Sequence, residues 1–225
     1  MNRISDLVLH KDHHIIVLNK PAGLATQKDQ SGEPNAHQMA MAYAHRDLYL
    51  VHRLDQRVSG ILVLAKTKEV ASFLSKQWKE RSTEKIYVGI VPHADIPATG
   101  TLKHYLSFDN KTNITTAHPE PIEGALESIL EYKIIQHLEN FMVLEILLIS
   151  GRKHQIRAQL SAAGIPIRGD IKYGSKRTNP DGAIDLHAYS LNFLHPSGSV
   201  PVKIVAPFPE EGLWKHINLE TNKDQ

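Results

Sequence analysis

Chemistry in this 225-residue chain concentrates first in Val51-His52-Arg53-Leu54-Asp55-Gln56-Arg57-Val58-Ser59-Gly60. One acid, Asp55, stands among three basic or potentially basic side chains, His52, Arg53 and Arg57. An apolar run, Ile61 to Ala65, follows at once and reads as a buried strand. A carboxylate is thus held in a loop at the mouth of a rigid element, in a positive field that favours its charged form. Such a group can serve as nucleophile, as base, or as half of an ion pair. On spacing alone, an Asp before a strand is more often a turn former or an ion-pair partner.

A second group lies about a hundred residues on. Gly151-Arg152-Lys153 turns into a helix predicted from His154 to about Ala163, with Ile156, Leu160 and Ala163 on its buried stripe. His154 and Arg157, three apart, share a side of it. Arg157 could pair with Asp55 and fix its rotamer. The helix start offers free amides and a positive dipole end, a seat for phosphate that Arg152 and Lys153 reinforce. From Gly151 to Arg177 there are seven basic residues (Arg152, Lys153, Arg157, Arg168, Lys172, Lys176 and Arg177) against one acid, Asp170. On a chain of net charge +2, that zone looks like the footprint of a polyanion, or else a solvated basic face. The C-terminal tail leans acidic through Glu210, Glu211, Glu220 and Asp224.

Other chemistries find no footing. There is no phosphate loop, dinucleotide glycine fingerprint, nucleophile elbow or zinc-protease helix. The 14 histidines are scattered, and no pair has ligand spacing with a carboxylate alongside, so no metal is expected. With no cysteine, disulfides, thiolate metal sites and cysteine nucleophiles are excluded. The N-terminus lacks an apolar signal core and no run approaches membrane-spanning length, so a cytoplasmic location is expected.

The elements that must position these groups read as follows. His14 to Asn19 is a strand, stopped by Lys20-Pro21-Ala22-Gly23, a tight turn that could display Lys20. A loop covers Gln27 to Pro34. Asn35 caps a helix to Arg46 with a weak stripe of Met39, Ala42 and Tyr43. Glu69 to Arg81 is a helix burying Val70, Phe73, Leu74, Gln77 and Trp78. Lys85 to Val91 alternates as a strand, with Tyr87 opposite Ile86 and Val88: Tyr87 faces solvent or a cleft, or the strand is buried on both sides. Pro97 to Gly124 reads as loops with short strands. Glu127 to His137 and Phe141 to Ile149 form a hairpin, and strands follow at 186–196 and 202–207. Strands outnumber helices and come in hairpins, which predicts an α+β fold with a mostly antiparallel mixed sheet, flanking helices and a central cleft. The length suits one large domain or two small ones.

In this order the residues resemble the RluA-type RNA pseudouridine synthases. The motifs are Asn19-Lys20-Pro21-Ala22-Gly23, His52-Arg53-Leu54-Asp55 with Ser59-Gly60, Lys85-Ile86-Tyr87, Gly151-Arg152-Lys153-His154-Gln155-Ile156-Arg157, Gly169-Asp170 with Tyr173-Gly174, and Leu186-His187-Ala188 with His195-Pro196. They span residues 12 to 207. The resemblance implies a single catalytic domain over 1–225 that converts uridine to pseudouridine in tRNA or rRNA, with no metal or organic cofactor. Asp55 would be nucleophile or base, Tyr87 the stacking aromatic that helps remove the carbon-5 proton, and Arg157 the partner of Asp55. Arg53 would enter the RNA stack where the uridine has flipped out. His52, Lys20, Arg152 and Lys153 complete the expected RNA contacts, with Lys20 also read as a support of its turn. His154 and His187 read as structural hydrogen-bonders and Asp170 as a turn or scaffold residue. Val58, Lys153 and Glu127 stand where the family usually has Thr, and none displaces Asp55, Tyr87 or Arg157. The segment before Asp12 is too short for the small RNA-binding domain that many members carry, so the catalytic domain is expected to hold RNA through its basic cleft, as a monomer.

Overall fold

Eleven strands in the described residues share one sheet, and the site hangs from its middle. The computed structural model describes residues 3–28 and 32–218; the first residues of the N-terminus, the centre of the loop at 29–31, and Glu220 and Asp224 of the acidic tail lie outside them. In chain order the elements are β1 (Val8–Lys11), β2 (Ile15–Lys20), α1 (Ala36–Ala44), β3 (Tyr49–Leu50), β4 (Ser59–Ala65), α2 (Lys68–Glu80), β5 (Glu84–Pro92), β6 (Thr99–Asp109), β7 (Ile114–His118), β8 (Leu126–His137), β9 (Phe141–Leu148), α3 (Gln155–Ala162), β10 (Leu186–Leu194) and β11 (Pro201–Val205). The sheet runs β1-β2-β4-β10-β5-β9-β8-β6-β7, with β3 added to β4 and β11 to β10. Every pairing is antiparallel except β4 with β10. The α+β architecture with a mostly antiparallel sheet is as expected.

The unbroken apolar run of β4 has a direct cause. All seven of its residues are buried, because helices cover both faces. Ile61 and Val63 pack with Ile15 and Val17 against Val70 and Leu74 of α2. Leu62 and Leu64 pack with Ile16 and Leu18 against Ala36 and Ala40 of α1. Alternate side chains leave a strand on opposite faces, so a strand covered twice loses its polar alternation. A third cluster joins β5, β8 and β9 to Ile156 and Leu160 of α3.

Where β4 meets β10, the backbones touch. Gly60 has φ +112°, and a Cβ there would lie 2.3 Å from the Ala188 carbonyl oxygen. Only glycine permits both the conformation and the approach. This contact fixes the start of β4, and hence the loop that carries Asp55, against β10 and its neighbour β5.

Three sequence expectations need correction. Residues 97–124 are not loops with short strands: β6 runs for eleven residues and pairs with β7 and β8. Its residues are mostly exposed or half-buried, so ladder hydrogen bonds rather than burial hold it, and no apolar period betrays it. On α1, Asn35 caps as expected, accepting from the Gln38 amide. Its buried face, however, is Ala36 and Ala40, not Met39, Ala42 and Tyr43, because the small residues let the helix lie close on the sheet. Ala163 caps α3 and is exposed rather than part of its stripe.

Candidate active site

Asp55 sits in the loop between β3 and β4, and the loop is tied from beneath. The Thr26 hydroxyl donates to the Leu54 carbonyl at 2.7 Å and accepts from the Leu54 amide at 3.2 Å. The Gln56 carbonyl takes the Gly23 amide at 2.8 Å and the Lys20 ammonium at 3.3 Å. Lys20 also donates to the carbonyls of Pro21 and Leu24, at 2.9 and 2.8 Å. Lys20 is therefore not displayed for RNA. It is fully buried, and its three protons join the 21–24 turn to the Asp55 loop. Burial lowers its pKa to about 7, against the opposing field of Asp55.

Arg157 holds the carboxylate. Its Nη1 donates to Asp55 Oδ2 at 2.8 Å, across 102 residues of sequence. The rest of its fork grips Asp170, with Nε on Oδ2 at 2.7 Å and Nη2 on Oδ1 at 2.9 Å. Asp170 has no exposed surface. It is thus more than a turn residue: it orients the guanidinium that orients Asp55. Burial works against the charge of Arg157, but the hydrogen bonds and field of Asp170, then of Asp55, raise its pKa above the usual value. Gly169 (φ +85°) sets Asp170 in place, since a Cβ there would lie 2.7 Å from the Ala183 carbonyl.

A hydrogen-bond chain holds the His154 ring against Asp55. The Thr115 amide donates to the Tyr173 hydroxyl at 2.8 Å. That hydroxyl lies 2.8 Å from His154 Nδ1, and the other ring nitrogen, Nε2, lies 3.5 Å from Asp55 Oδ2. Arg157 and His154 both address Oδ2, and among the described residues nothing bonds to Oδ1. One oxygen is anchored, and the other has no protein partner among the described residues. The start of α3 is less open than its sequence suggests. The Arg152 amide is already taken by Gln155 Oε1 at 3.0 Å, and His154 enters the helix at φ +52°.

Asp55 lies in a cavity of about 1270 Å³. Its walls carry Lys28, Arg53, Arg57, Lys79, Arg81, Lys85, Arg152, Lys153, Arg157 and Lys172, and Asp55 is its one acid among the described residues. The charge therefore comes from several separate stretches. Arg168, Lys176 and Arg177 of the 151–177 zone do not line it; Arg168 turns away to Asp185 at 2.6 Å. Arg53, Arg152 and Lys153 are exposed at the cavity, as expected of RNA contacts, with Lys153 Nζ 4.0 Å from the Phe108 ring centre. His52 lines it without being basic. Its Nε2 accepts from the Val63 amide at 3.1 Å, and its ring stacks on Trp78 at 5.2 Å. Tyr87 faces this cleft from β5, which is also covered on its other side, so both alternatives for that strand hold. Burial, then the charge of Asp55, raises the Tyr87 pKa, so the phenol keeps its proton.

Residues 14–162 match the RNA pseudouridylate synthase family. The chain belongs to that family. It is 32% identical over 225 residues to ribosomal large subunit pseudouridine synthase D of Xylella fastidiosa, covering 91% of this chain and 66% of that protein. It is 30% identical over 216 residues to ribosomal large subunit pseudouridine synthase C of Vibrio vulnificus, covering 92% of this chain and 67% of that one. The chain thus spans about two thirds of the length of these relatives. In fold it is similar to human RNA pseudouridylate synthase domain containing 4, with a TM-score of 0.72, 23% identity, and 92% and 90% of the two chains covered. The resemblance read from the motifs is borne out.

The folded state of this pseudouridylate synthase family member holds three imidazoles neutral. Burial lowers His52, His154 and His187 each to about 4. In the unfolded chain they titrate near 6.5. Between those values the unfolded chain binds more protons than the folded one. Their stabilisation is therefore full above about pH 6.5 and is lost as pH falls toward about 4. Urea midpoints measured from pH 7.5 to 4.5 are expected to drop below pH 6.5; a flat profile would contradict the burial of these rings as neutral species.

Proposed function

We propose that this chain isomerises uridine to pseudouridine in tRNA or rRNA, with Asp55 as the reacting group. The observation that carries the proposal is the asymmetry of its carboxylate: Oδ2 is fixed by Arg157 at 2.8 Å, while Oδ1 is free at the floor of a cationic cavity. A nucleotide must leave its stack to reach that floor, which single-stranded loops and bulges allow at low cost. Arg53, exposed at the cavity, takes the place the base vacates. Tyr87 supplies a flat aromatic surface for the flipped base. From Oδ1, attack at the sugar's anomeric carbon and removal of the neighbouring sugar proton are both open, and each releases the base from its nitrogen link. The base turns, its carbon 5 bonds to the sugar, and the proton on carbon 5 departs.

That last step gives the test. RNA transcribed with uridine tritiated at carbon 5 releases tritium to water when carbon 5 is joined to the sugar. Purified protein is expected to release it from tRNA or rRNA transcripts, with or without a chelator. Binding without release would reduce the chain to an RNA-binding protein, and loss of release on chelation would point to metal chemistry.

The cavity also predicts which cations meet the phosphates. Each contact to a single strand contributes about 0.7 to the slope of log affinity against log salt. Arg152→Gln is expected to lower the slope by about that amount. Lys176→Gln, exposed but outside the cavity, is expected to leave it unchanged. Equal effects would restore the contiguous 151–177 footprint in place of the cavity.

A further inference from the structure

Lys85 stands two residues before Tyr87 on β5, so both side chains leave the strand on one face, roughly 7 Å apart along it. Both line the cavity over Asp55. Lys85 is only 8% exposed, yet among the described residues its ammonium has no hydrogen bond or ion pair. Nor is the nitrogen sealed inside the protein; the surface it keeps opens on the cavity. A desolvated cation without a counter-ion costs stability. Burial, then the nearby charge of Arg81, accordingly lowers its pKa.

Gly151, across the gap, is the second observation. Its φ is not in the left-handed region, and a Cβ built there would meet only Lys85 Nζ, at 4.0 Å. Neither backbone conformation nor packing within the protein calls for glycine at this position. What a side chain would fill is the space beside the ammonium.

We propose that Lys85, with Arg81 and the gap at Gly151, seats a phosphodiester group of the RNA next to the nucleotide whose base lies on Tyr87, an assignment that rests on the cavity being a uridine site. A nucleotide carries its base and its phosphates on different sides of the sugar. The phosphate of a nucleotide whose base lies on Tyr87 is one sugar away from that base, a span comparable to the roughly 7 Å that separates Tyr87 from Lys85 along β5. The ammonium, free of protein partners, gains its counter-ion only when the strand is in place, and the orientation of the sugar over Oδ1 is fixed at the same moment.

The test uses uridine, uridine 5′-monophosphate and uridine 3′-monophosphate, titrated into the wild-type chain, Lys85→Met and Lys85→Arg and followed by protein NMR. One of the two monophosphates is expected to bind wild type about 10- to 100-fold more tightly than uridine, the range for a charge-assisted hydrogen bond. Lys85→Met should lose most of that preference, with Arg81 and the other wall cations left to supply the remainder, and Lys85→Arg should regain most of it. Lys85→Met keeps the apolar stem and removes an uncompensated charge, so its Tm should be equal to wild type or higher. A wild-type preference below twofold, a preference undiminished in Lys85→Met, or a lowered Tm in that variant each overturns the proposal. The titration does not depend on turnover. A Lys85-dependent preference without tritium release sinks the isomerase reading and leaves the phosphate seat standing; tritium release without the preference sinks the seat alone.

Discussion

Asp55→Asn is expected to lower tritium release by at least about 10³-fold, the scale for removing a group that acts on the reacting atoms, while the fold and RNA affinity stay close to wild type. The fold survives because Arg157 keeps its two bonds to Asp170, at 2.7 and 2.9 Å. The lost pair is partly exposed on the Asp55 side, at 27% of its side chain, and such pairs contribute about 1 kcal/mol or less. RNA affinity survives because the cations of the cavity wall remain. Asparagine keeps the size of the side chain but offers neither a nucleophilic nor a basic oxygen. Stopped turnover with a matched unfolding curve and unchanged binding would assign Asp55 to chemistry. Rates within tenfold of wild type would remove it from that role.

Arg157→Met is expected to do the opposite kind of damage, costing stability and activity together. Removing the guanidinium leaves Asp170 with no exposed surface and no counter-charge. Breaking a buried pair from one side costs about 3–5 kcal/mol, a large share of the roughly 5–15 kcal/mol that holds a domain folded. For a chain of this size that is a fall in Tm of about 10 °C. Arg157→Lys should not rescue it. A single ammonium cannot span Asp55 and both oxygens of Asp170 in the fork geometry. A calorimetric Tm within about 2 °C of wild type for Arg157→Met would show that the triad carries little of the fold.

The contrast between these two variants shows what the sequence could and could not convey. The link between Asp55 and Arg157 was legible, although 102 residues separate them, because each sits in a motif whose neighbours announce a loop before a buried strand and a turn into a helix. Asp170 was readable as a turn or scaffold residue, and the scaffold alternative holds, but which group it supports was not readable. Arg157 already had one expected partner, and nothing in residue spacing says that a guanidinium is using all of its fork. Lys20 reads two ways for a similar reason: a Pro-Gly turn can display its lysine or be supported by it, and the three inward carbonyls that decide for support leave no trace in side-chain identity. The basic zone enters the cavity only in part, through Arg152, Lys153, Arg157 and Lys172, because proximity along the chain is not proximity in space. Lys28, Lys79 and Arg81 reach the cavity from outside it, while Arg168 leaves it for Asp185. The burial of β4 was clearer, since the apolar run Ile61 to Ala65 reads as a buried strand, whereas the close approach of Gly60 to Ala188 is visible only in the fold. Strand β6 was hidden because hydrogen bonding, rather than burial, keeps it in the sheet.

Pseudouridine mapping across total RNA tests the central claim most directly, with cells that carry the wild-type chain, cells deleted for it, and deleted cells given Asp55→Asn. The geometry of a free Oδ1 beneath a cationic cavity predicts at least one uridine in tRNA or rRNA that is isomerised only in wild-type cells and is not restored by the variant. Maps that match in all three, or a variant that restores the modification, would contradict it.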